Sequence, residues 1–189
     1  MKKIILIGDS IRMGYQQTVQ DELTGLAEVS WPEMNGFDSL NVLAKLDDWV
    51  IARKPDIVHV NAGLHDLKKN RETGQLQVPL EDYARNVEQI LRTLQAQTNL
   101  RIVWATTTPV NQEWHRERKP FDRCEADVTA YNRCAAGICR RLGVPVNDLY
   151  TLLGNLGPDN YLLPDGVHFT DQGYQLLGRE VARVLRARL

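Results

Sequence analysis

Five apolar runs of strand length, KIILIG, AEVSW, PDIVHVNAG, RIVWATTTP and VPVNDLY, alternate along the chain with amphipathic stretches of helix length. No other feature restricts the fold as much. Strands separated by helices cannot pair as hairpins, so the alternation predicts a largely parallel sheet with helices on both faces, an α/β architecture. The third run is almost continuous in Val, Ile and Ala, as a strand covered on both sides requires. DSLNVLAKLDDWVIAR places Leu40, Leu43, Ala44, Leu46 and Val50 along one helical stripe, and YARNVEQILRTLQAQ does the same with Val87, Ile90, Leu91 and Leu94. DVTAYNRCAAGICRRLG reads as a helix ended by Gly143, and TDQGYQLLGREVARVLRARL as the last helix. In it, Arg179, Arg183 and Arg186 lie opposite Val181, Val184 and Leu185, the pattern of a solvated face. VNQEWHRERKPFDRCE, after the fourth run, has no clean periodicity and is expected to be an irregular loop on the carboxyl side of its strand.

With 43% hydrophobic and 25% charged residues, 189 residues suit one domain spanning 1–189. A net charge of -1 gives no reason to expect nucleic acid or an anionic membrane as partner. No run approaches the roughly 20 apolar residues of a membrane span. The residues after Met1 lack the apolar core of a signal peptide, and Cys124, Cys134 and Cys139 have no CxxC spacing. A reduced, cytoplasmic protein is expected.

The first run stops at GDS, which leaves Ser10 where a strand hands over to the next element. In a parallel sheet the crevice outside the carboxyl ends of the strands is where ligands bind, so Ser10 is either a reactive hydroxyl or the N-cap of a turn. A serine that attacks an ester needs a base, an acid to orient that base, and N–H donors for the oxyanion. Among four histidines, His168 sits in LLPDGVHFTDQGY, a turn-rich stretch with Asp165 three residues earlier. At that separation a carboxylate and an imidazole can turn toward one point, leaving the second ring nitrogen free to act as base on Ser10.

GDS at the first strand end, Gly36 in MNGFDSLNVL, PDIVHVNAGLHDL, TTTPV and DGVHFTDQGY resemble, in order, the sequence blocks of the SGNH (GDSL) hydrolase superfamily. The resemblance implies a three-layer α/β/α sandwich of flavodoxin-like type, with a parallel five-stranded sheet in the order 2-1-3-4-5. It also implies Ser10 as nucleophile, His168 as base, Asp165 as acid, and the backbone N–H groups of Ser10 and Gly36 as two of three oxyanion donors. The third block departs from the family pattern, which reads GxND: Gly63, Leu64, His65 and Asp66 put a histidine at the asparagine position. A neutral imidazole has one N–H to donate, so His65 is the candidate third donor, with a purely structural His65 and a donor role for Asn61 as alternatives. His59, inside its strand, reads as a core histidine, and Asp66 as a residue that fixes the loop. Asp9 and Asp66 have no further ligands to complete a metal site, so no metal and no cofactor are expected.

Together these features imply a serine ester hydrolase acting on a small-molecule ester through an acyl-enzyme. A short acyl group on a carbohydrate is expected, with Trp114, His115, Arg116 and Arg118 offering a polar, stacking surface. The alternatives are a lysophospholipase or thioesterase, an acyltransferase using the same three residues, and a weak or inactive binding module on the same fold.

Overall fold

A computed structural model describes residues 1–189. Strands β1 (Lys2–Ile7), β2 (Ala27–Ser30), β3 (Ile57–Val60), β4 (Arg101–Ala105) and β5 (Val146–Asn147) form one parallel sheet in the order β2-β1-β3-β4-β5. This is the expected 2-1-3-4-5 arrangement. The chain reverses direction across the sheet between β1 and β3, and right-handed crossovers then send the early and middle helices to opposite faces. Helix α1 (Ser10–Glu22) packs against the C-terminal helix α8 (Asp171–Arg186). On the other face, α4 (Leu80–Gln95) packs against α2 (Ser39–Ala44) and α6 (Glu125–Leu142). Ile4, Ile5, Leu6 and Ile7 are all buried, as a strand clothed on both sides demands. No helix is long and apolar enough to cross a membrane.

The stretch expected as one helix after β2 is broken. α2 ends at Ala44, α3 covers Leu46–Trp49, and a 3-10 turn follows at Ile51–Arg53. The buried apolar residues are Val42, Leu46, Trp49 and Val50, while Leu40 is 59% exposed. These four follow an i, i+4, i+7, i+8 spacing that keeps Leu46 and Val50 of the expected stripe and adds Val42 and Trp49, while Leu40 and Ala44 face out. VPVNDLY yields a strand of only two residues, Val146–Asn147, because Asp148 caps a helix, α7 (Leu149–Leu156), by accepting from the Thr151 N–H at 3.0 Å.

The expected irregular loop after β4 is also structured. It contains α5 (Gln112–Arg118), capped by the Asn111 side chain, and then Phe121–Asp122, which pairs antiparallel with Lys69–Asn70 in a separate two-residue ribbon. That ribbon joins the segment after β3 to the segment after β4.

Candidate active site

The path from β1 into α1 determines where Ser10 sits. Asp9 ends the strand, and its side chain accepts the Ile11 N–H at 2.9 Å, which starts α1 at Ser10. The Ser10 N–H therefore lies in the first helical turn, where no intrahelical carbonyl can accept it and where the helix dipole favours negative charge. The N-cap is thus Asp9 and not Ser10, and the cap leaves the Ser10 hydroxyl free to bond elsewhere. It donates to Nε2 of His168 at 2.9 Å.

His168 and Asp165 lie on a tight turn before α8, with the Gly166 N–H donated to Leu163 O at 2.9 Å and the Leu163 N–H to His168 O at 2.7 Å. One oxygen of Asp165 accepts the N–H groups of Val167 and His168 at 3.0 and 2.9 Å, and the other accepts from Nδ1 of His168 at 2.6 Å. With its proton on Nδ1, the ring offers Nε2 to Ser10 as an acceptor. Burial pushes the Asp165 carboxyl up, but the hydrogen bonds from the His168 ring and from the two N–H groups outweigh it and hold the group below its ordinary value. Gly166 has φ 71°, and a Cβ there would stand 2.3 Å from Asn111 O, so only glycine lets the turn rest on the start of α5. The three residues named from the sequence thus form one hydrogen-bonded line, able to draw a proton from a hydroxyl.

The loop after β2 closes one wall. The Gly36 N–H, expected to be a free oxyanion donor, is donated to Gly8 O at 2.9 Å in this structure. Glycine is required there for close approach, since a Cβ would lie 2.6 Å from Gly8 O. Asp66, fully buried, accepts the Ser39 N–H at 3.0 Å and the Ser39 hydroxyl, tying the turn after β3 to the start of α2. Burial raises its carboxyl to about 6 against the lowering effect of these bonds. Asn61 donates its amide to Ala105 O at 2.9 Å, bracing β3 against β4. His59 is a core histidine: it is fully buried, it meets Asn147 Nδ2 at 3.2 Å, and burial lowers its pKa to about 3.

His65 is half-buried; its carbonyl accepts the Lys68 N–H at 3.2 Å, and its ring makes no hydrogen bond to protein. Its ring stands edge-on to Phe37, centroids 5.5 Å apart, which sets it beside the loop carrying Gly36. Burial lowers its pKa, Asp9 and Asp38 oppose that shift, and Arg123 and Lys68 reinforce it. The net lowering favours the neutral ring, which has one N–H to give.

The polar surface expected from Trp114, His115, Arg116 and Arg118 is only partly present. His115 is fully buried, packs against Phe121 at 5.2 Å, and has its pKa lowered to about 4, chiefly by burial. It faces inward because α5, rather than a loop, carries it. Trp114, Glu117 and Arg118 do line an open pocket of about 310 Å³ with Leu162 and Pro164, next in sequence to Asp165. The residue absent from the sequence reading is Arg123, which is 6% exposed and donates Nε to Leu64 O at 2.8 Å. In RERKPFDRCE nothing distinguishes it from the exposed Arg116 and Arg118. No cluster of three or more His, Cys, Asp or Glu side chains is arranged to hold a metal ion.

Fold and site together put the protein among the carboxylic ester hydrolases. More narrowly, the chain belongs to the GDSL-like lipase/acylhydrolase family, whose model matches residues 6–176. It is 26% identical to the human isoamyl acetate-hydrolyzing esterase 1 homolog over 196 residues, covering 93% of this chain and 77% of that protein. The crystal structure of a lipase/acylhydrolase from Enterococcus faecalis matches with a TM-score of 0.84 at 25% identity, over 100% of this chain and 97% of that one. An acetylxylan esterase from Geobacillus stearothermophilus shares the fold, with a TM-score of 0.77 at 20% identity over 96% of this chain and 93% of that one.

Proposed function

We propose that the protein is a serine esterase that removes a short acyl group, O-acetyl in the first place, from a carbohydrate. The reading is carried by the unbroken line of hydrogen bonds from Asp165 through His168 to Ser10. Ser10 Oγ attacks the acyl carbonyl as its proton passes to Nε2 of His168. The tetrahedral oxyanion is met by the Ser10 N–H and by the N–H of neutral His65. Collapse breaks the bond to the alcohol, which leaves with the proton from Nε2, and Ser10 keeps the acyl group. Water then attacks this ester, giving its proton to His168, and the carboxylic acid leaves as the serine hydroxyl is restored. Asp165 stays ionised throughout and keeps the ring in the tautomer that presents Nε2. Gly36 serves by bringing the loop after β2 against the serine turn.

The isoamyl acetate named in the human relative's description is an acetyl ester, which supports a short acyl group. The pocket beside Asp165, with Trp114 as a flat face and Glu117 and Arg118 as polar rims, suits a sugar ring as the alcohol side. We take residues 1–189 to work as one domain and in the cytoplasm, which agrees with three free cysteines.

Intact-mass analysis after exposure to an organophosphate serine-hydrolase probe tests the site without knowledge of the substrate. A single adduct on Ser10, lost in Ser10→Ala and His168→Ala, is the expected result. Absence of an adduct on the folded protein would point to a binding module. Turnover of long-chain lipid esters alone, with none of acetylated oligosaccharides, would overturn the substrate class.

A further inference from the structure

Arg123 is a buried cation with no carboxylate within ion-pairing distance. Burial of an unpaired guanidinium is unfavourable, and the longer-range attraction of Asp9 and Asp165 together with its direct contacts offsets that cost. One of these contacts reaches across to the turn after β3. Nε is donated to the carbonyl of Leu64, the residue before His65, at 2.8 Å, and the guanidinium lies 5.3 Å from the centroid of Phe121. Lys68, three residues after His65, places its ammonium 4.3 Å from the same ring. The ribbon pairs Lys69 with Asp122 and Asn70 with Phe121 immediately beyond. The turn that carries His65 is thus gripped from the segment after β4 by a hydrogen bond, the Lys68–Phe121 cation–ring contact and a backbone ladder, with Arg123 and Phe121 braced against each other on the gripping side.

We propose that Arg123 is a positioning residue for ester hydrolysis, fixing through the Leu64 carbonyl the turn that aims the His65 N–H at the oxyanion. This rests on the reading of His65 as a donor given above. A neutral imidazole has only one N–H, so its value as a donor depends on where the turn points it. The charged groups facing the ring are Asp9 at the start of α1, Asp38 at the start of α2, Lys68 on the same turn, and Arg123. The two carboxylates favour a protonated ring and the two cations oppose it, so Arg123 also helps to keep His65 neutral.

The test is a double-mutant cycle on p-nitrophenyl acetate with His65→Ala, Arg123→Met and the pair; methionine keeps the packing on Phe121 and removes both donor and charge. Urea unfolding accompanies each variant. Each single change is expected to lower kcat by about 10²-fold with little change in KM, and the pair to be no worse than the poorer single variant. In nuclear magnetic resonance titrations the His65 midpoint should rise in Arg123→Met. Arg123→Lys, which keeps the charge without the Nε donor and guards against a methionine variant that does not fold, should leave that midpoint near wild type yet still lower kcat. Losses that multiply in the pair, or an Arg123→Lys enzyme at full rate, would overturn the proposal for Arg123 while leaving His65 in place. Full rate in His65→Ala would instead remove the reading of His65 on which it rests.

Discussion

Replacing Gly36 with alanine tests how closely two loops must meet for the site to exist. Gly36 has no positive φ, so alanine meets no backbone penalty there, and the effect of the change comes from space alone. The added Cβ would stand 2.6 Å from Gly8 O and 2.9 Å from Gly8 C. A carbon approaches a carbonyl oxygen comfortably at about 3.3 Å, so the two backbones must part by roughly 0.7 Å. Neither atom struck belongs to a flexible side chain. Either the 2.9 Å bond from the Gly36 N–H to Gly8 O is lost, or the turn from Gly8 to Ser10 moves with it. The second route stretches the 2.9 Å contact between Ser10 and His168 beyond hydrogen-bond range. Overpacking of this kind costs about 1–3 kcal/mol, and a displacement near 1 Å at the reacting atoms costs about 10²-fold in rate. Urea unfolding and kcat/KM on p-nitrophenyl acetate read the two effects separately. A variant with wild-type rate and wild-type urea midpoint would refute the reasoning, because it would show that the loop moves aside freely and that the site does not need the contact.

Two further outcomes follow from the carboxylates. Asp66 has its carboxyl raised from 3.8 to about 6, so the folded state holds that proton more tightly than the unfolded chain; the stability this contributes is complete below pH 3.8 and is lost as pH rises to about 6. Against wild type, Asp66→Asn should therefore gain about 3 kcal/mol in relative unfolding free energy between about pH 4 and pH 7, measured by urea unfolding; a difference that does not change with pH would show that Asp66 titrates normally. For Asp165→Asn the expected result is a fall in kcat of about 10⁴-fold, because an amide no longer enforces the proton on Nδ1 of His168. A loss of only about tenfold, with the fold intact by urea unfolding, would take the orienting role away from Asp165.

The parts of the molecule that were legible in the sequence are those whose geometry is set within a few residues. β1 reads as a strand because Ile4 to Ile7 are all apolar, and GDS ends it wherever the rest of the chain goes. Asp165 and His168 are three apart on one turn, so their contact needs nothing from elsewhere. In the stretch after β2 the sequence places Leu46 and Val50 correctly but turns Leu40 and Ala44 inward in place of Val42 and Trp49, a choice that only the surface they pack on makes. α5 was missed for a similar reason: Glu, Arg and His crowd its sequence, and its one fully buried residue, His115, gives no apolar period. Arg123 was invisible because its role depends on a ribbon between segments some fifty residues apart.

If His65 takes the place of the asparagine that the resemblance leads one to expect in the third block, it changes what the surroundings must do. An asparagine amide keeps its N–H donors at every pH and is oriented by its own short side chain. A histidine in the same place changes its charge and its donor count in the range where the enzyme has to work. Under the reading proposed above, two conditions follow. The ring must be held neutral although Asp9 and Asp38 face it, and the turn must be rigid enough to aim a single N–H. Burial and the charges of Arg123 and Lys68 meet the first. The hydrogen bond from Arg123 to Leu64 O meets the second, together with the Asp66 carboxylate that ties the far end of the turn to Ser39. On that reading His65 and Arg123 work as one device, and replacing His65 by asparagine should make the enzyme less dependent on Arg123, to be read as a smaller loss of kcat on Arg123→Met in that background.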